Sequence, residues 1–244
     1  MKEVTEGGSF YQWYRILLKY HTQRLKKGAN REQIKWVKKI IPDKKVFFDI
    51  GANKGLFSFW VAKFMRNKGS IHIFEPQPEL SFIFGNLKKH FSERHTFFHN
   101  NFGLSDSEGT AILNRQCIGD GSASFSKFTK SNELSKPVPL HRLDQYCINN
   151  DVQNIDFIKI DVEGYEFKVI TGGINTIKKF KPCILIEMTP CDESGMIIKM
   201  FREIGYKIKM IWHGNTFEEN SQTFEDFESQ KRITNLRSDF LFHH

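Results

Sequence analysis

Four ionisable side chains fall within eight positions of IDFIKIDVEGYE: Lys159, Asp161, Glu163 and Glu166. On a strand of period two, Lys159 and Asp161 share one face while Ile158 and Ile160 point the other way. Glu163, Gly164 and Glu166 then fall at the strand's carboxyl end and the start of a helix, where open α/β sheets bind ligands. Burying such charges is costly unless they are paired. The cluster reads either as a buried Lys159–Asp161 pair or as a site able to move a proton beside a ligand, and its place at a strand end favours the site.

A second stretch, VFFDIGANKGLFSFWVAKF over residues 46–64, runs from a short apolar strand through a glycine turn into helical spacing. Asp49 ends the strand, where a carboxylate must face a ligand or the turn's own amides. Gly51 and Gly55 let the chain turn sharply and a ligand approach it. Dinucleotide folds use G-x-G-x-x-G, but Asn53 stands where the second glycine would be, so a pyrophosphate has no cradle. A ligand with an amino-acid end and an adenosine end fits better. The next apolar run, SIHIFEP, ends in Glu75, 26 positions after Asp49, placed to accept both hydroxyls of a ribose. The two motifs point to S-adenosylmethionine. The plainer alternative is an α/β domain in which Asp49 and Glu75 only cap turns.

The elements that position these residues follow from periodicity. Phe10, Trp13, Tyr14, Leu17 and Leu18 form a stripe on a helix over 10–21, and a capped helix follows over 31–41, stopped by Pro42. These two helices either lie over the ligand side as a lid or cover a sheet edge. A helix over 78–91 precedes a strand at 96–99. Short runs at 111–113 and 123–125 flank IGDGSAS and suggest a hairpin insertion within 109–141. Strand 155–161, helix 165–180, strand 183–188, helix 193–205 and strands at 206–212 and the carboxyl end complete a doubly wound, mainly parallel sheet.

The chain has 244 residues and a formal charge of +8. Residues 1–45 hold 12 Lys and Arg against 4 Asp and Glu, whereas residues 46–244 hold 24 of each. The excess is thus confined to an N-terminal extension, distinct from a catalytic domain over 46–244, and no basic groove for nucleic acid is expected on that domain. The extension suits peripheral contact with phosphates, anionic lipid heads or an acidic substrate, or is the solvated face of an amphipathic helix. The four cysteines show no metal spacing. With no long apolar run and no secretory leader, a soluble, cytoplasmic protein is expected.

In order along the chain, DIGANKGLFSFW, IFEPQPE, NFGLSDSEG, the GSAS turn, LHRLDQY, IDFIKIDVEGYEFKVITGG and KPCILIE resemble the FkbM family of S-adenosylmethionine-dependent methyltransferases. The match covers about residues 46–190, and KIDVEGYE is its most specific part. The resemblance implies a Rossmann-like, seven-stranded class I methyltransferase fold and O-methylation of sugars or polyketide-type hydroxyls. It puts Asp49, Gly51, Asn53 and Gly55 beside the methionine end of the cofactor and Glu75 on its ribose. Asn101 and Phe102 would flank the adenine.

Transfer of a methyl group to a hydroxyl needs in-line positioning and removal of the hydroxyl proton. Asp161 and Glu163 are the candidate bases, with Lys159 orienting them or stabilising charge; His141 is a further candidate. Asp161 and Glu187 could together hold Mg²⁺, which needs one or two carboxylates plus substrate oxygens. Two other readings are an RNA methyltransferase holding phosphate with the basic N-terminal helices and a non-catalytic Rossmann-like binding module.

Overall fold

The computed structural model describes Lys19 and residues 31–125, 134–212, 215–229 and 238–244. Apart from Lys19, the helix expected over 10–21 lies outside the described residues. In chain order the strands are β1 Val46–Ile50, β2 Gly69–Phe74, β3 His95–Asn100, β4 Gly103–Leu104, β5 Gly109–Leu113, β6 Lys136–His141, β7 Phe157–Ile160, β8 Cys183–Met188, β9 Lys207–Trp212, β10 Asn215–Glu218 and β11 Ser238–His243.

The main sheet has the order β10-β9-β11-β8-β7-β1-β2-β3. Strands β3, β2, β1, β7 and β8 are parallel, while β11 runs antiparallel between β8 and β9. Seven of these strands answer to the expected sheet. The eighth is the short β10, paired antiparallel to the edge of β9. The order reverses between β1 and β7, so the carboxyl ends of these two strands open the crevice where such sheets bind ligands.

Alternation along the strands separates two cores. Phe48, Ile50, Ile158, Ile160, Ile184 and Ile186 face one side. Phe47, Phe157, Leu185 and Leu241 face the other, together with apolar residues of helices Arg31–Ile40, Leu56–Phe64 and Ser81–Phe91. Asp49 and Lys159 follow Phe47 and Phe157 at period two, so they lie on the second side and carry its polar end. No helix among the described residues is long and apolar enough to cross a membrane.

The insertion differs from a simple hairpin. Strand β5 pairs antiparallel with β6, and β4 joins β6 in parallel, which makes a three-stranded sheet. Residues 111–113 and 123–125 meet only through the flanking bridge Asn114–Ser124. Pro137 and Pro139 hide β6 from a sequence reading, since proline is demoted in strands. They are tolerated because β4 reaches only Leu140 and His141, leaving the proline positions on an open edge. The helix expected over 165–180 is two helices, Glu166–Gly172 and Ile174–Phe180. The break falls where a Cβ on Gly172 would come within 1.9 Å of the Ser105 carbonyl oxygen.

Candidate active site

At the end of β1, Asp49 is 1% exposed and its Oδ2 accepts hydrogen bonds from the amide and hydroxyl of Ser58 at 2.9 and 2.5 Å. The carboxylate thus satisfies the first turn of helix Leu56–Phe64. Burial outweighs these donors and pushes Asp49 up to about 6. Gly51 follows at φ 77°, and a Cβ there would stand 1.9 Å from the Asp161 carbonyl oxygen. Only glycine lets β1 pass so close to the end of β7.

Asn53, at φ 46°, also has left-handed backbone, which asparagine tolerates better than most side chains. Its amide donates to Glu75 Oε2 at 2.7 Å, and the Gln77 amide donates to Oε1 at 2.9 Å. Glu75 is 3% exposed, and burial pushes it up to about 7 although both donors oppose this. Gly55 has another role. It lines no cavity at the site; its Cα faces Leu87 and Phe84 of helix Ser81–Phe91, and its φ of 69° is the reason for glycine there.

Two adjoining cavities occupy the crevice. The first, about 50 Å³, is lined by Gly51, Asn53, Glu75, Gln77 and Phe102 together with Asp120 and Gly121 of the insertion. The second, about 260 Å³, is lined by Asp49, Lys54, Phe57, Lys159, Ser122 and Glu187. Gly51, Asn53, Gly121, Asp161 and Glu163 border both. The predicted adenosine and methyl-transfer sides are therefore neighbours that share a wall.

Lys159 Nζ lies 3.1 Å from Asp161 Oδ2 and 4.8 Å from the centre of the Phe57 ring. Burial alone would push this ammonium's pKa down. Asp161, then Glu187, Asp239 and Asp49, outweigh burial and hold it above the ordinary lysine value. One ammonium does not balance four carboxylates, and burial pushes the deeply placed Asp239 up to about 7 despite Lys159. Gln33, from helix Arg31–Ile40, donates its Nε2 to Asp239 Oδ1. Helix Arg31–Ile40 thereby touches the polar cluster behind the site.

The expected Mg²⁺ position at Asp161 and Glu187 gains no support from these residues. Among the described residues no group of three or more His, Cys, Asp or Glu side chains could hold a metal ion. Asp161 and Glu187 already share the field of the buried Lys159 ammonium, which supplies positive charge beside them. His141 lines neither cavity: its Nδ1 is 2.5 Å from Glu108 Oε2, and its ring meets Phe102 edge-on. Asn101 lines neither cavity, and its Nδ2 donates to the Glu75 carbonyl at 3.2 Å. Phe102 does line the smaller one.

Sequence reasoning missed Lys54, Gln77, Asp120, Ser122 and Asp239. Asp239 carries the same signal as Asp49, a lone carboxylate on an apolar strand, and was legible in SDFLFH. The others act through contacts between distant segments and leave no periodic trace.

A family profile described as the Methyltransferase FkbM domain matches residues 49–208, from the Asp49 strand through KIDVEGYE to β9. The chain belongs to the FkbM family of S-adenosylmethionine-dependent methyltransferases. Among solved structures, it is similar to the methyltransferase FkbM from Methylobacillus flagellatus KT, with 15% identity and a TM-score of 0.50. That match covers 82% of this chain but only 44% of the Methylobacillus protein. A precorrin-6y C5,15-methyltransferase from Geobacter metallireducens GS-15 shows 14% identity and a TM-score of 0.46, covering 86% of each chain. Aeropyrum pernix fibrillarin, solved with S-adenosyl-L-methionine, shows 12% identity and a TM-score of 0.45, covering 83% of this chain and 68% of its own. No curated protein sequence matches this one. For this FkbM chain, the likeness at 0.50 is one of fold.

Proposed function

We propose that this FkbM protein transfers a methyl group from S-adenosylmethionine to a hydroxyl of a sugar, a glycan or a related small polyhydroxylated acceptor. The observation that supports the reading is that Asp161 and Glu163 border both cavities; with cofactor in one and acceptor in the other, two carboxylates would stand between them. Bound S-adenosylmethionine supplies an electrophilic methyl group on sulfur. Gly51, Asn53 and Glu75 would hold it by close backbone approach and ribose hydrogen bonds. Phe102 offers the adenine an aromatic wall.

Asp161 is our first choice of base and Glu163 the second. Asp161 would take the proton of the acceptor hydroxyl as that oxygen receives the methyl group, and the demethylated thioether would be the leaving group. Lys159 keeps Asp161 oriented and holds the acceptor side from becoming too negative. A cavity walled by Asp49, Asp161, Glu163 and Glu187 offers acceptors for several hydroxyl donors, which suits a polyol. Residues 1–45 would act as an acceptor-recognising or membrane-surface extension and residues 46–244 as the methyltransferase domain.

The test is incubation of purified full-length protein with methyl-labelled cofactor and a panel of glycans, small hydroxylated acceptors and RNA. Label on a glycan or small-molecule oxygen supports the reading. Label confined to RNA, with steeply salt-dependent binding, would overturn it in favour of a nucleic-acid substrate.

A further inference from the structure

The smaller cavity is roofed by residues 116–124, part of the insertion that the cofactor motifs leave unexplained. Both ends of this segment are anchored. Before it, Arg115 is buried and makes a two-pronged pair with Glu79, 2.7 Å on each side, while its Nε donates to the Leu134 carbonyl. At its far end Ser124 exchanges two backbone hydrogen bonds with Asn114, and just after it the Phe125 ring sits 5.1 Å from the Tyr165 ring. Asp120 shapes the turn between, its two carboxylate oxygens accepting from the Gln116 and Ser122 amides at 2.9 Å each.

The middle of the roof is held by the cofactor motifs themselves. Asn53 Nδ2 donates to the Asp120 carbonyl at 3.0 Å and Gln77 Nε2 to the same oxygen at 3.3 Å. Gln77 Oε1 accepts from the Gly119 amide at 2.9 Å, and Lys54 Nζ donates to the Gly119 carbonyl at 2.5 Å. Glycine would occupy the left-handed position at residue 53 without strain, yet asparagine stands there and uses its carboxamide on the roof. Under this roof lies about 50 Å³. Ligand pockets for molecules of cofactor size run from roughly 300 Å³ upward.

We propose that residues 116–124 form a strap that opens to admit S-adenosylmethionine and recloses over it, that Asn53, Lys54 and Gln77 are its latch, and that Ser122 of the closed strap is a specificity-determining wall of the acceptor cavity. The inference rests on the cofactor reading given above. In the closed state the strap is bonded to Asn53, Lys54 and Gln77 across the mouth of the cofactor cavity, so the latch must release before cofactor enters and re-forms once it is bound. Gly121 borders both cavities and Ser122 the larger one, so reclosure over the cofactor completes the acceptor wall. Cofactor would then bind before acceptor. Lid motions of this type take microseconds to milliseconds.

The experiment is stopped-flow binding of S-adenosylhomocysteine to the full chain, with amide hydrogen exchange over residues 116–124 read alongside. The observed rate should level off with ligand concentration at the opening rate. Lys54→Met removes one latch bond and Asp120→Ala removes the two side-chain caps of the turn, and each should raise that plateau by about 10-fold or more, the worth of a hydrogen bond to a charged group. Bound S-adenosylhomocysteine should slow exchange at Gly119 and Ser122 in the native chain. A linear rate in both native protein and variants, with exchange at 116–124 unaltered by ligand, would overturn the strap while leaving the cofactor assignment intact. Failure of the native protein to bind the ligand at all would overturn the cofactor reading itself.

Discussion

Lys159 Nζ and Asp161 Oδ2 stand 3.1 Å apart at the carboxyl end of β7, the lysine side chain 1% exposed and the aspartate 31%. The asymmetry assigns different work to the two residues. A charge that is sealed in acts on its neighbours, whereas a charge that reaches solvent is available to a substrate. We expect Asp161→Asn to keep affinity for S-adenosylhomocysteine within a few-fold and to lower methyl transfer by ~10²-fold or more, since shape survives while the proton acceptor is lost. Lys159→Met should instead destabilise the fold by about 3 kcal/mol, because it leaves buried carboxylates without their counter-charge. Chemical denaturation beside single-turnover kinetics separates the two effects, and an Asp161→Asn protein with native turnover would remove Asp161 as base.

Glu75 gives the pH dependence. Burial pushes its folded pKa up to about 7, so near neutrality a large share of the free protein carries a protonated Glu75. Ribose hydroxyls donate to the ionised form and so favour proton release. Affinity should therefore rise with pH through this range, by roughly ten-fold between pH 6 and pH 8, with one proton released on binding at the lower end. Glu75→Gln should flatten the profile and weaken binding at pH 8 by about 1.5–3 kcal/mol. Calorimetry in buffers of different ionisation enthalpy measures both the affinity and the proton count; a flat native profile would remove the ribose role.

The glycines supply a contrast within one fold. At Gly51 a Cβ would collide with the Asp161 carbonyl at 1.9 Å in left-handed backbone, and neither strand end can move without opening the crevice. Gly51→Ala should cost about 3 kcal/mol or more or prevent folding. Gly85 lies mid-helix, exposed, with nothing within 4 Å of an added Cβ. Gly85→Ala should stabilise by about 0.5–1 kcal/mol. Paired thermal melts of the two variants check the assignment.

What the sequence made legible was local. Asp49, Gly51 and Glu75 announce themselves because each interrupts an apolar strand or ends it, and Lys159 with Asp161 because period two puts them on one face. Gly55 was legible as a turn but not as a packing position against Leu87, which depends on a helix 32 residues away. The bonds from Asn53 to Asp120 and from Gln33 to Asp239 span 67 and 206 residues. No spacing rule reports such contacts, since they arise only when the sheet order is fixed. His141 shows the converse, a chemically able residue that lines neither cavity and whose ring meets Glu108 and Phe102.

Helix Arg31–Ile40 divides the basic first 45 residues into two parts with different expected roles. Ile34, Val37 and Ile41 are buried against the sheet side that carries Asp49 and Lys159, and Gln33 bonds to Asp239. Removing residues 1–41 should therefore cost several kcal/mol, at about 1.5–3 kcal/mol for each buried aliphatic side chain, and loosen the polar cluster as well. Removing residues 1–30 keeps all of these contacts, so the affinity for S-adenosylhomocysteine should stay within about two-fold. The shorter truncation should act on the acceptor: residues 1–30 carry six Lys and Arg against two Glu, and their loss should raise the acceptor's KM by an amount that shrinks as salt is added. Calorimetry, melts and acceptor kinetics on both truncations decide this together. A 1–30 deletion that melts far below the native chain would assign Trp13, Leu17 and Leu18 to packing, and one with native stability and native KM at low salt would leave the segment without a role in acceptor recognition.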